Sequence, residues 1–411
     1  MGSTPPSGSG PGTAGDGSGS GASLPARSGV RTAILLIGLV AVALNLRPAL
    51  TTVGPVLPEI TEGLSLTPTQ AGALTSLPLL LFALTAPVAP RLGARFGMDR
   101  TVGVSLLLLT VALLIRPWGG FGLLAAGTVL AAGAIAVANV LMPGVVRRDF
   151  PVRAVAMTGV YSVMLSVGAA ASAGATVPVA DALGGWQWGL GVWGLLAAIG
   201  LVAWLTRGWG NRTGAAAELH WRRMLRSPLA WQVSMYLGSQ SIGFYCMTTW
   251  MPAILRDAGT DATYAGLMLS VAIGVGAVAG LVIPQFAARH ADQRIPAAGT
   301  ALFTIAGLVG LALAPAAAPV VWAVLLGIGQ GGTFPLAISL IVLRTRSAGE
   351  VPTLSAMAHA IGYTMSATGP IIMGSIFAAT GAWGPAIAFV VVVAAGQVVL
   401  GLLAGRARYV D

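Results

Sequence analysis

The sequence predicts an all-α membrane protein of twelve transmembrane helices in two six-helix bundles. Three observations predict it. Of the 411 residues, 56% are apolar and only 8% charged, against about 25% charged in soluble domains; mean hydropathy is +0.85. Apolar runs of ~20 residues, each long enough to cross a bilayer, recur along the whole chain. The basic residues, all of them arginine, fall in alternate connections between those runs, the pattern that orients a membrane protein.

Taken in order, residues 1–30 are mostly Gly, Ser, Pro, Ala and Thr, with no apolar core before Ala26. They read as a disordered cytoplasmic leader and not as a signal peptide. Spans are expected at about 32–57, 68–90, 101–116, 120–146, 154–179, 188–206, 229–254, 263–287, 296–314, 319–343, 352–379 and 384–404. Residues 31–206 thus form an N-terminal bundle, 207–228 a basic cytoplasmic connection with a short interfacial helix around His220 to Arg226, and 229–411 a C-terminal bundle with a short cytoplasmic tail. The short connections leave no room for a soluble domain.

With the leader placed in the cytoplasm, every arginine except Arg47, Arg116 and Arg256 lies in a terminus or an even-numbered connection. This predicts a multi-pass protein of the bacterial inner (plasma) membrane with both termini cytoplasmic. The net charge of +10 is accounted for by topology and anionic headgroup contact, and no nucleic-acid partner is expected. The expected partners are a small-molecule solute, membrane lipids and protons, with the chain acting as a monomer. Cys246 has no second cysteine to pair with and lies in an apolar run.

A shift of 194 positions aligns Pro58 with Pro252, Ile60 with Ile254, Ala71 with Ala265, Gly72 with Gly266, Arg95 with Arg289, Arg100 with Arg294 and Gly168 with Gly362. Two loop arginines at equivalent positions favour a duplicated six-plus-six bundle over chance in so Ala- and Gly-rich a chain. An even number of spans separates the repeats, so they run parallel, and a solute pathway is expected between them near mid-depth.

Arg47 is the ionisable residue expected inside a span. The first span, at 1.5 Å per residue, covers roughly 39 Å with its midpoint near Asn45, which puts Arg47 only ~3 Å of rise beyond mid-depth. A charge there costs ~3 kcal/mol on insertion scales and is a functional-site hypothesis by default. The alternative is snorkelling to the outer surface, helped by Pro48 and Pro55. Under the 194 shift Arg47 corresponds to Ser241, with Gln240 beside it, so a guanidinium and an amide are expected to face one another across the pathway. A guanidinium fork matches paired oxygens of carboxylate-like or nitro-like groups. His359 and Tyr363 share one helix face at i, i+4 spacing and line the pathway or serve packing. Tyr245, Trp250 and Asn139 carry the same two readings, wall or contact against plain packing.

Several stretches together resemble a known family. They are Asn45-Leu46-Arg47-Pro48 with Val53-Gly54-Pro55, Ala138-Asn139-Val140-Leu141-Met142-Pro143 running into Arg147-Arg148-Asp149, Gly238-Ser239-Gln240-Ser241 with Trp250-Met251-Pro252, and Met357-Ala358-His359-Ala360-Ile361-Gly362-Tyr363 with Gly369-Pro370. The sequence is similar, from about residue 32 to 405, to the cyanate and 2-nitroimidazole transporters of the major facilitator superfamily. The resemblance implies a twelve-helix transporter with alternating access and a small, anionic or nitrogen-rich solute contacted by Arg47, Asn45, Gln240, Asn139, Tyr245, His359 and Tyr363. It also implies a cytoplasmic conformational latch in the loop Gly93 to Arg100, built on Arg95, Asp99 and Arg100. His359 stands where the family usually has Gln, and this departure makes it the candidate for proton coupling.

Enzymatic chemistry is not expected: the chain shows no paired carboxylates, no metal-spaced His/Cys cluster and no P-loop, and needs no cofactor. Gly327-Ile328-Gly329-Gln330-Gly331-Gly332 matches GxGxxG but sits within a span and follows no strand; its glycines, like Gly276 and Gly280, suit close helix packing. All twelve acids fall in the tail, loops or span ends, so protons would move on His359 or on the solute itself, or uniport applies. Besides a secondary transporter, two further readings stand: a drug or antibiotic efflux transporter of the same fold, which needs a wide, weakly charged cavity, and a non-transporting membrane receptor.

Overall fold

The computed structural model describes residues 26–85, 88–150, 153–208, 221–287, 292–346 and 351–410, with Gly2 and Arg289. The first half comprises α1 (Ala26–Asn45), α2 (Pro48–Thr51), a 3-10 turn at Gly54–Val56, α3 (Leu57–Gly63), α4 (Pro68–Thr85), α5 (Ala89–Phe96), α6 (Met98–Ile115), a 3-10 turn at Arg116–Trp118, α7 (Phe121–Asp149), α8 (Ala154–Leu183), α9 (Trp186–Gly191) and α10 (Trp193–Leu205). The second comprises α11 (Trp221–Arg226), α12 (Pro228–Asp257), α13 (Ala262–Ala287), α14 (Arg294–Leu313), α15 (Pro319–Leu343), α16 (Val351–Thr380) and α17 (Trp383–Ala404). α1 begins at Ala26, earlier than the leader boundary expected at residue 30; most of the leader and residues 209–220 of the connection lie outside the described residues. The short helix expected after His220 is α11.

Among the described residues, nine helices are long and apolar enough to cross a membrane, and α4 with α5 adds a tenth if the pair, bent by 59°, is one span. α12 and α16, each 30 residues, are more polar and fall outside these nine, yet each is about 45 Å long at 1.5 Å per residue. The twelve expected spans are reached when the bent pair and both polar helices are counted as crossings. The 194 shift carries Pro68, first residue of α4, onto Ala262, first of α13, and Asp149, last of α7, onto Leu343, last of α15. Even the caps correspond. Thr67 and Gln70 form a reciprocal capping box at α4, the Thr67 amide reaching Gln70 Oε1 at 2.8 Å, and Asp261, at the position equivalent to Thr67, caps α13 through the Tyr264 amide at 2.9 Å.

The first span is broken where its prolines demand it. Pro48, Pro55 and Pro58 lack the N–H that would close the helical ladder, so α1 stops at Asn45 and the chain passes through α2 and a 3-10 turn before α3. Side chains satisfy the loosened backbone. Thr52 Oγ1 donates to Pro48 O at 2.8 Å, Thr51 Oγ1 to Arg47 O at 3.1 Å, and Arg116 Nη1 to Ala49 O at 3.2 Å. Arg116 was expected in an outer connection; it is fully buried instead, with a second bond to Thr128 Oγ1 at 3.4 Å.

The halves meet along α4 with α16 and α8 with α13, and through the 3-10 turn at Gly54–Val56 on α12. Backbones touch at glycines: a Cβ on Gly72 would stand 2.5 Å from Pro370 O, and one on Gly374 2.6 Å from Pro68 O. Across the same end, Arg256 pairs with Glu59 at 2.6 Å, Thr69 Oγ1 lies 3.3 Å from Ser375 Oγ, and Ser270 Oγ donates to Ala170 O at 2.8 Å. One apolar core there draws on both halves, uniting Val53, Leu57 and Leu74 with Ile242, Trp250 and Met268. At the other end the cores separate. Val102, Leu141 and Val145 centre one, which takes in Tyr245 and Ala367 alone of the second half's buried core, and Met224, Leu340 and Leu354 centre another drawn from the second half. The bundle is therefore sealed at one end and divided at the end where α6 and α14 begin and α7, α10, α15 and α17 finish. We call these the sealed face and the basic face, the second because exposed arginines such as Arg91, Arg100, Arg147 and Arg346 stand on it.

Candidate functional site

Arg47 follows the end of α1 in the two-residue gap before Pro48, on backbone that the prolines have released from the helix. Its side chain is half-buried and points between the halves. The hydroxyls of Tyr245 on α12, Tyr161 on α8 and Tyr363 on α16 all lie within its electrostatic reach. Phe82 of α4 meets Tyr363 edge-on at 5.3 Å, and Phe244 meets Tyr245 in the same geometry at 5.3 Å. Snorkelling to the headgroups is thus not what Arg47 does. Among the described residues no carboxylate pairs with it. A guanidinium set among phenols, with no carboxylate beside it among the described residues, has the chemistry to receive an anion or an oxygen-rich group.

Beside Tyr363 runs a narrow crevice lined by Leu237, Ser241, Phe334, His359, Gly362 and Tyr363. The rings of His359 and Tyr363 lie 5.9 Å apart, as their i, i+4 spacing requires. His359 Nδ1 is bonded to Ser355 O, one turn earlier, at 2.8 Å. Across the site, the Tyr161 hydroxyl donates to Asn139 Oδ1 at 2.9 Å, so Asn139 orients a phenol. Sequence analysis did not single out Tyr161; the 194 shift places it at the position of Ser355, and that correspondence was the available signal.

Two expected contacts are engaged elsewhere. Gln240 is buried in the second half, its Nε2 donating to Gln330 O at 3.3 Å, in a polar seam that continues through Gln330 Nε2 to Thr304 Oγ1 at 3.4 Å. Its amide does not face Arg47. Asn45 donates from Nδ2 to Ala41 O at 2.8 Å and Leu196 O at 3.2 Å, bracing α1 against α10. Trp250 belongs to the sealed face, where its Nε1 donates to Pro370 O at 3.1 Å.

The expected latch is also rebuilt. Asp99 accepts a bidentate pair from Arg148, both bonds 2.7 Å, while Arg207 bridges to Asp149 and stacks 3.9 Å over the Trp204 ring. Arg95 and Arg100 are exposed. The cations of the cluster are Arg148 and Arg207, because the ends of α7 and α10 converge on the first turn of α6. In the second half the position equivalent to Asp99 is Gln293, bonded to Arg344, whose guanidinium also donates to Ala404 O at 3.0 Å and Gly405 O at 2.9 Å. The cluster is charged in one half and neutral acceptors replace the acids in the other.

Comparison with known proteins agrees with this architecture. The chain is 39% identical over 385 residues, 92% of its length and 97% of the relative's, to the 2-nitroimidazole transporter of Escherichia coli (strain K12). It is 29% identical to the cyanate transport protein CynX of the same organism, over 84% of this chain and 91% of that one. The fold is shared with a bacterial homologue of the human lysosomal transporter Spinster at TM-score 0.74, with 17% identity and coverage of 94% and 98% of the two chains. Residues 34–370 match the Major Facilitator Superfamily. With spanning helices in repeated halves and relatives that are named transporters, the chain belongs to the major facilitator superfamily and is a multi-pass membrane transporter, not an enzyme.

Proposed function

We propose that this transporter moves a small, planar, anionic or nitrogen-rich organic solute, nitroimidazole-like or cyanate-like, by alternating access around Arg47. The observation that carries the reading is the unneutralised guanidinium set among Tyr161, Tyr245 and Tyr363 from three helices of both halves. The relatives' names supply the solute class. In this reading the sealed face is periplasmic: exposed arginines gather on the basic face, whereas Arg116 is buried and Arg256 is paired with Glu59. The described conformation is then open to the cytoplasm, with both termini there and the chain working as a monomer in the inner membrane.

A thermal-shift screen of small anions and nitroaromatics on the purified protein tests the site. A ligand at a hundred times its Kd stabilises by about 2.7 kcal/mol. The expected result is a clear rise in Tm for wild type, a reduced rise for Arg47→Lys, which keeps charge without the fork, and none for Arg47→Ala. A ligand that stabilises all three equally removes Arg47 from the site. Proton coupling is assigned to His359. Uptake into proteoliposomes with and without an imposed pH gradient is expected to lose its gradient dependence in His359→Gln; unchanged dependence excludes the histidine as carrier.

A further inference from the structure

The bond between His359 and Ser355 fixes more than a ring orientation. Nδ1 lies 2.8 Å from the Ser355 backbone carbonyl, and a carbonyl oxygen only accepts. Nδ1 therefore carries the hydrogen, and in the neutral imidazole Nε2 is left as a bare lone pair. Among the described residues no hydrogen bond engages Nε2, and the ring lines the crevice beside Tyr363. On the Arg47 side the site offers N–H donors. On the His359 side it offers an acceptor.

We propose that His359, set as an acceptor by Ser355, is a specificity-determining residue that selects solutes carrying an N–H or O–H donor in addition to their acceptor oxygens. This rests on the reading of Arg47 as the solute's anchor and goes beyond it, because a guanidinium alone does not distinguish a donor-bearing azole from an N-alkylated one or from a linear anion. The helix supplies the polarity. The i−4 carbonyl of α16 holds the imidazole by one nitrogen and aims the other at the crevice. A polar group built to receive a donor discriminates strongly against analogues that lack it, since the site's own atom is then left buried and unpaired. Tyr161, turned toward Asn139 at 2.9 Å, is fixed in the same way: its proton is spent, and what remains for a solute is a lone pair.

The test uses two probes, 2-nitroimidazole and 1-methyl-2-nitroimidazole, titrated into wild type, His359→Phe and His359→Gln. Wild type is expected to bind the N–H azole at least about tenfold tighter than the N-methyl azole. His359→Phe, a ring without an acceptor, is expected to bring the ratio within about threefold by weakening the N–H azole, and His359→Gln, whose Oε1 accepts, to keep most of the preference. A wild-type ratio below about threefold, or a ratio that survives in His359→Phe, overturns the proposal while leaving Arg47 in place. If neither azole binds wild type, or binding is indifferent to Arg47→Ala, the anchor itself is refuted and this selectivity with it.

Discussion

A lone charge at membrane depth costs ~3 kcal/mol on insertion scales, and the phenols of Tyr161, Tyr245 and Tyr363 stand within electrostatic reach of Arg47 where an acid could have stood. An acid partner would have neutralised it and left nothing for a solute. Asn139 acts one step back, through Tyr161. Tyr161→Phe and Asn139→Ala are therefore each expected to weaken ligand binding about three- to tenfold, and the double variant no further, with a coupling of ~1 kcal/mol. Additive losses, measured by titration calorimetry, would mean that Asn139 touches the solute directly. Arg47 and Tyr363 were legible in the sequence because an ionisable group in an apolar run is conspicuous and because i, i+4 spacing fixes a shared face. Gln240 was misplaced for the opposite reason: its amide is taken up by Gln330 O and by the Ser241 hydroxyl beside it, each at 3.3 Å, pairings that no spacing rule reports. Arg116 escaped notice because its apolar run ends there, and hydropathy cannot tell a span end that is exposed from one folded beneath a broken helix.

The elements that join the halves are shaped by what their prolines and glycines omit. α1 is interrupted by missing N–H groups, and the interruption places Arg47 on backbone whose carbonyls are served by Thr51, Thr52 and Arg116. α4 and α16 touch because Gly72 and Gly374 omit a side chain. A leucine at Gly72 begins 2.5 Å from Pro370 O, an atom of the backbone that cannot rotate away. Overpacking of this kind costs ~1–3 kcal/mol, enough to shift a two-state balance roughly 5- to 150-fold. In a Cys246→Ala background, Gly72→Leu is expected to raise labelling of Thr69→Cys by a membrane-impermeant maleimide from the sealed side several-fold. Unchanged labelling would show that the glycine contact does not hold this face shut. The Glu59–Arg256 pair across the same face is partly exposed and contributes at most ~1 kcal/mol, so the close backbone packing and the joint apolar core carry most of the closure.

Across the whole molecule, the fold followed from composition and periodicity: helix boundaries recur at the 194 shift, and the halves face each other through α4 on α16 and α13 on α8, two pairs that the shift exchanges. What a linear reading did not yield is state and partnership. The resemblance pointed to Arg95 and Arg100 for the latch, whereas convergence in space selected Arg148 and Arg207, and no spacing rule reports which face of a symmetric bundle is closed. The account's central claim is that solute reaches Arg47 from the basic face while the other face is sealed, and that transport requires this seal to open. Thr69 and Ser375, whose hydroxyls lie 3.3 Å apart across the sealed face, are the pair to replace by cysteines for a cross-link between the halves. The direct measurement is therefore Thr69→Cys/Ser375→Cys in a Cys246→Ala background, oxidised and then reduced, with ligand binding and proteoliposome uptake read on the same sample. The account predicts that the cross-linked protein still binds solute in an Arg47-dependent way but transports none, and that reduction restores uptake. Uptake that continues through the cross-link, or binding that disappears with it, would contradict the account.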